Sequence, residues 1–195
     1  MKHIITQPGL GDMIISIIWW QKHNPDLKVY TREALYRPEL FDIMGVDISV
    51  SEDVDFNHVG HHFPFDIKKI EQTKEPPIIK GDYYTYQFNG ISEFPQAKNI
   101  KIFNDQEKEK VKQKYKGKLI SVEDKTMSLK TIRNIMQNSK GHFGIDSGMA
   151  WFAVLCGVKN IDVWYNGYSN DFDTNWPLTF AYNNANIKFY RNDSN

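Results

Sequence analysis

The sequence predicts an α/β protein of parallel strands joined by helical crossovers, and three observations lead there. Residues 1–50 alternate between short apolar strands and helix-compatible runs. A second strand, turn and helix stand close together at His142–Val158. The composition is that of an ordinary globular protein: 195 residues, 41% hydrophobic and 14% aromatic, enough core for one domain or two small ones.

Lys2 to Thr6 reads as a short strand, Gln7-Pro8-Gly9-Leu10-Gly11-Asp12 as a tight glycine-rich turn, and Met13 to His23 as a mostly apolar helix ended by Asn24-Pro25. Leu27 to Thr31 is a second strand. Ala34 to Met44 is an amphipathic helix interrupted early by Pro38 and ended by Gly45, and Val46 to Val50 alternates as a third strand. Strand–helix–strand–helix–strand implies a parallel sheet. Asp12 has two readings: a helix cap, or a carboxylate within reach of a hydroxyl whose proton it takes.

The stretch from Ser51 to Gly81 carries the weakest pattern. His58, His61 and His62 lie close together, but no acidic or cysteine ligand stands at a familiar metal spacing. They read as a neutral loop, and no metal site is predicted. Glu75-Pro76-Pro77 reads as a linker, which divides the chain into residues 1–75 and 76–195.

Tyr83 to Phe88 is a strand by its aromatic and β-branched content. Asn89-Gly90 then turns at the carboxyl edge, where open α/β sheets place ligands, so Gln87 and Asn89 are candidate contacts; Lys98 and Lys101 follow in the next loop. Asn104 to Tyr115 is a charged helix with Asp105 and Glu107 in its first turn and Lys112 and Lys114 near its end, in accord with the macrodipole. Its interleaved acids mark a solvated face rather than a track for a phosphate backbone. Leu119 to Val122 is a strand, and Glu123-Asp124-Lys125-Thr126 leads into a helix from Met127.

Phe143-Gly144-Ile145 is an apolar strand cut off by Asp146-Ser147-Gly148, after which Met149 to Leu155 reads as a helix. Unpaired backbone N–H groups and a positive dipole end would hold a phosphate above Ser147, Gly148 and Met149. The bland alternative is a helix cap. Cys156 reads as buried packing; a lone cysteine fits a reducing compartment. Gly157 to Tyr165 leads out as a strand. Asp171 and Asp173 fall in a turn-rich, aromatic loop, and Ala181 to Tyr190 reads as a strand or extended arm.

Net charge is zero, with 24 basic and 24 acidic side chains, so no global field recruits nucleic acid or anionic membrane. No run reaches the roughly 18 apolar residues of a membrane span, and the first residues do not read as a signal peptide. The expected location is cytoplasmic. Oligomeric state is unknown from the sequence.

Residues 119–167 resemble the nucleotide-sugar-binding half of heptosyltransferases and related GT-B glycosyltransferases. There a helix opening with Met127-Ser128-Leu129, a strand, Asp146-Ser147-Gly148, an alanine-containing helix and a Gly157-Val158 strand follow in the family's order. Gly9-Leu10-Gly11-Asp12 sits where the family has its Gly-x-Gly-Asp turn. The resemblance implies a GT-B-like pair of Rossmann-type lobes with parallel sheets: an abridged acceptor-side lobe at 1–75 and a nucleotide-sugar-binding lobe at 76–195. It implies transfer of a sugar from a nucleotide-diphosphate sugar, with Asp12 as general base and Gly9, Leu10 and Gly11 as the acceptor-side turn. The diphosphate would lie on Asp146, Ser147, Gly148 and Met149 with Gln87 and Asn89 beside it. Met127, Glu123 and Asp124 would meet the base and ribose. No cofactor and no obligatory metal is implied.

Two departures from the family stand out. The acceptor-side half is short, and Trp151 stands where many relatives have histidine, as core or as a replaced cleft contact. The resemblance implies a saccharide acceptor; the short lobe and a lysine-, asparagine- and isoleucine-rich composition of the kind AT-rich phage genomes encode leave a hydroxymethylated DNA base as the other expectation, and a phage enzyme would work in the host cytoplasm. A nucleotide-sugar epimerase and a non-catalytic nucleotide-binding module are the alternatives.

Overall fold

The computed structural model describes residues 3–5, 9–23, 25–52, 70–90, 103–145, 147–165 and 186–191. In chain order the elements are β1 (His3–Ile5), α1 (Leu10–His23), β2 (Val29–Thr31), α2 (Pro38–Ile43), β3 (Ile48–Val50) and β4 (Tyr83–Gln87). Then come α3 (Asp105–Lys112), β5 (Lys118–Ser121), α4 (Leu129–Gln137), β6 (Gly141–Ile145), α5 (Gly148–Leu155), β7 (Asn160–Tyr165) and β8 (Asn186–Arg191).

The strands form two sheets, one ordered β1-β2-β3 and the other β5-β4-β6-β7-β8. Every pairing in both is parallel. The fold is thus mixed α/β with parallel sheets, compatible with a Rossmann-like architecture. In the larger sheet the strand order reverses between β4 and β6, which opens a crevice at their carboxyl ends.

Two helices join the sheets. α1 buries Met13, Ile14, Ile15, Ile17 and Ile18, and α5 buries every residue from Ala150 to Leu155. A helix that is apolar nearly all round needs cover on both sides. α1 obtains it from β1 and α5; α5 obtains it from α1, β6 and β7. Side chains of α1, α2, α4 and α5 consequently share one apolar cluster. The other face of the larger sheet carries a second cluster of Phe88, Phe103, Val111, Phe143, Ile145 and Trp164 beneath α3.

Several boundaries differ from expectation for local reasons. α1 begins at Leu10, so Leu10, Gly11 and Asp12 form its first turn instead of a separate loop, and the Gly9 carbonyl accepts the Met13 N–H at 3.0 Å. Pro38 starts α2 rather than interrupting it, because its missing N–H is no loss in a first turn; a 3-10 turn at Glu33–Leu35 precedes it. The helix expected from Met127 starts at Leu129, with Ser128 as its cap accepting from Thr131 N–H at 3.1 Å. Among the described residues no helix is long and apolar enough to cross a membrane.

Candidate functional site

The site is set by where α1 and α5 meet. A Cβ added to Gly148 would come 2.8 Å from Leu10 Cβ and 2.9 Å from the Gly11 nitrogen; one added to Gly11 would come 2.7 Å from Trp151 Cδ1. Both glycines are therefore required for helix contact, and the two helices meet with their amino ends together. Since α1 follows β1 and α5 follows β6, the carboxyl edges of both sheets face the same end of the molecule. Two positive dipole ends lie side by side there.

Asp12 belongs to the first turn of α1, half-buried, with its carboxylate bent back over Gly9, where a side chain on residue 9 would meet it. That position favours a negative charge. Trp151 is buried and fills the hollow left by Gly11. It is core, and of the two readings of this residue the packing one holds.

Across the β4–β6 crevice the expected residues come together. The Ser147 hydroxyl donates to Gln87 Oε1 and accepts the Met149 N–H at 3.3 Å. Gln87 Nε2 donates to the Asn89 carbonyl at 2.9 Å. Glu123, two residues beyond β5, accepts both the Phe88 and Asn89 N–H groups on Oε1 at 2.6 Å. Gln87, Asn89, Glu123, Ser147, Gly148 and Met149 thus occupy one edge, with Gly9, Leu10, Gly11 and Asp12 adjoining through α1.

Other expected residues serve the local backbone. Asp124 is exposed and accepts from the Thr126 N–H at 2.9 Å and its hydroxyl at 2.7 Å, which holds its carboxyl below the usual range. Met127 closes the same turn by donating its N–H to the Asp124 carbonyl at 3.0 Å. Asp146, His58, His61, His62, Lys98, Lys101, Asp171 and Asp173 lie outside the described residues.

Two contributors escaped the sequence reading. Gly144, paired with Gln87, has no room for a Cβ because the Gln87 backbone lies against it; a glycine inside an apolar strand is the signal for such an approach. Glu39 of α2 accepts the Leu129 N–H at 2.6 Å and so caps α4 from a distant part of the chain. No local pattern announces a cap ninety residues away in sequence.

A groove of about 960 Å³ lies at the opposite ends of these helices, between Ile18, Lys22, Met44, Ile70, Arg133 and Leu155. Among the described residues, none of the sequence-predicted site residues lines it. Compared with protein-family models, curated proteins and solved structures, the chain matches none.

Proposed function

We propose that this chain is a glycosyltransferase of the GT-B type, with an abridged acceptor lobe at 1–75 and a nucleotide-sugar lobe at 76–195. The observation that supports this most is the meeting of the α1 and α5 amino ends, where Leu10 and Gly11, in the same helical turn as Asp12, lie against Gly148. An anion binder and a base thereby share one locus at the carboxyl edge of both sheets.

In this reading the donor's diphosphate lies against the amino end of α5, and Gln87 and Asn89 bound the crevice beside it. An acceptor hydroxyl attacks the anomeric carbon, the bond from that carbon to the diphosphate oxygen breaks, and the proton passes to the Asp12 carboxylate. The nucleoside diphosphate leaves as an anion stabilised by helix dipoles and backbone N–H groups. The acceptor is a saccharide or a hydroxymethylated DNA base.

One observation favours a second reading. Asp12 bent over Gly9 is also the geometry of a carboxylate that serves only its own helix, as in a nucleotide-binding module without turnover. Thermal shifts against a panel of nucleotides and nucleotide-sugars identify the donor class, since a ligand that binds only the folded state raises Tm. With that donor, Asp12→Asn is expected to retain binding and lose transfer by about a hundredfold or more. Undiminished transfer would remove Asp12 as the base, and binding without turnover in the native chain would favour the module.

A further inference from the structure

The groove at the far ends of α1 and α5 has a volume of about 960 Å³ and an apolar floor of Ile18, Ile43, Met44, Ile70 and Leu155. Sites for small organic molecules span about 300–1,000 Å³ and are built in the same way, with a few polar groups around apolar surface. The sign of those polar groups decides what the groove takes.

Helix carboxyl ends meet here, which by itself would suit a cation. Their carbonyls are largely occupied, however. The last four of α5 accept the N–H groups of Cys156, Val158, Gly157 and Ile70 at 2.8 to 3.1 Å. In α2 the Leu40, Phe41 and Asp42 carbonyls accept from Met44, Val46 and Gly45, and the Met44 carbonyl takes Gln21 Nε2 at 3.4 Å. The Asp42 carboxylate is paired with Lys130. That leaves the exposed Glu71 as the remaining carboxylate, against two cations.

Those cations are Lys22 and Arg133, and neither has a carboxylate partner among the described residues. Arg133 donates from Nη2 to the Glu71 carbonyl at 2.6 Å, and its buried Nε has no acceptor among the described residues. A guanidinium cannot shed its charge, so beside apolar surface it calls for an anion. We propose that this groove binds an organic anion: a free carboxylic acid whose apolar body, about the size of a medium-chain fatty acid, lies on the floor while its carboxylate meets Lys22 and Arg133. The groove lies away from the α1–α5 amino ends, so the inference is independent of the glycosyltransferase reading.

The test is calorimetric titration of the full chain with decanoate, decanol, decyltrimethylammonium and acetate, which vary charge and apolar length separately. Decanoate should bind once per chain, and the other three about tenfold or more weakly. Lys22→Met and Arg133→Met keep an apolar stem and remove the charge. Each should weaken decanoate about threefold to tenfold and leave decanol unchanged, a split that a merely structural loss would not give. Lys22 is exposed, so its variant carries the test if Arg133→Met, which also frees the Glu71 carbonyl, does not fold.

Equal binding of the three decyl compounds would overturn the charge selection, and a preference for decyltrimethylammonium would reverse its sign. Many decanoate molecules per chain would be detergent behaviour and not a site. Decanoate affinity unchanged in every folded variant would place its binding elsewhere, and no binding by the native chain would overturn the proposal outright.

Discussion

His142 lies on β6 with its imidazole buried, Nδ1 3.1 Å from Thr85 Oγ1 and Nε2 with no hydrogen-bond partner among the described residues. Burial pushes its pKa down to about 3 from 6.5, so the folded protein carries it neutral. Below pH 6.5 the unfolded chain takes up a proton that the native state refuses. The stability is full above that value and is lost as pH falls towards about 3, at about 1.4 kcal/mol per pH unit. Urea unfolding of the native chain and of His142→Leu across this window checks it; equal slopes would show that His142 is not the group responsible. Gly148 makes a prediction of a different kind. Its missing side chain admits the backbone of Leu10 and Gly11, atoms that cannot rotate away. Gly148→Ala should therefore cost about 1–3 kcal/mol and separate the two helix ends, lowering Tm and abolishing nucleotide-induced stabilisation together. A normal Tm would show that the contact yields easily.

Helix ends explain much of how the elements are held. α3 has a reciprocal cap, with the Asn104 side chain accepting from Glu107 N–H at 3.0 Å and Glu107 accepting from Asn104 N–H at 2.7 Å. Lys114 closes its other end over the Trp164 ring at 4.0 Å, which attaches the helix to β7. The cap and the lysines are local and legible, since Asn-x-x-Glu before a charged run is a start signal and lysines cluster near the end; the Trp164 ring beneath Lys114 is not. α4 is different. Its cap combines the local Ser128 with Glu39 of α2, and Lys130 pairs with Asp42 of the same helix at 2.5 Å. Glu39→Ala should cost about 1–2 kcal/mol, because it leaves a backbone donor at the positive end of α4 without its carboxylate. Glu39→Gln should recover part of that loss, since an amide oxygen still accepts. Denaturant midpoints of the two variants measure this directly, and unchanged midpoints would assign the contact no weight.

At the scale of the molecule, the consequence of α1–α5 packing is mechanical. The two sheets do not have separate cores: residues of α1 and α2 join those of α4 and α5 in one apolar cluster. Unfolding should be a single cooperative transition. Indole fluorescence reports from α1 through Trp19 and Trp20 and from the other unit through Trp151 and Trp164. Single-tryptophan variants on either side should give coincident curves with far-ultraviolet circular dichroism. Two separated midpoints would mean that the sheets melt as independent units. The same packing holds the amino ends of α1 and α5 against one another, through Gly148 on Leu10 and Gly11 and through Gly11 on Trp151.

Local chemistry determined the kinds of element and nearly all of their places: alternation marked β1 to β3, aromatic content marked β4, and Asp146-Ser147-Gly148 after an apolar run marked the start of α5. Gln87, Asn89, Glu123 and Ser147 could be expected at one edge, because parallel strands bring their carboxyl ends together. What a linear pattern does not contain is the partner of each exposed group. Only the tertiary structure decided that Gly11 and Gly148 face a neighbouring helix, that Trp151 is core, that Glu39 caps α4 and that the Ser147 proton belongs to Gln87. The physical reason is common to all four. Each depends on two segments far apart in sequence meeting within hydrogen-bond or van der Waals distance, and that meeting is set by which elements pack together, α1 with α5, α2 with α4 and β4 with β6, not by the residues on either side of each position.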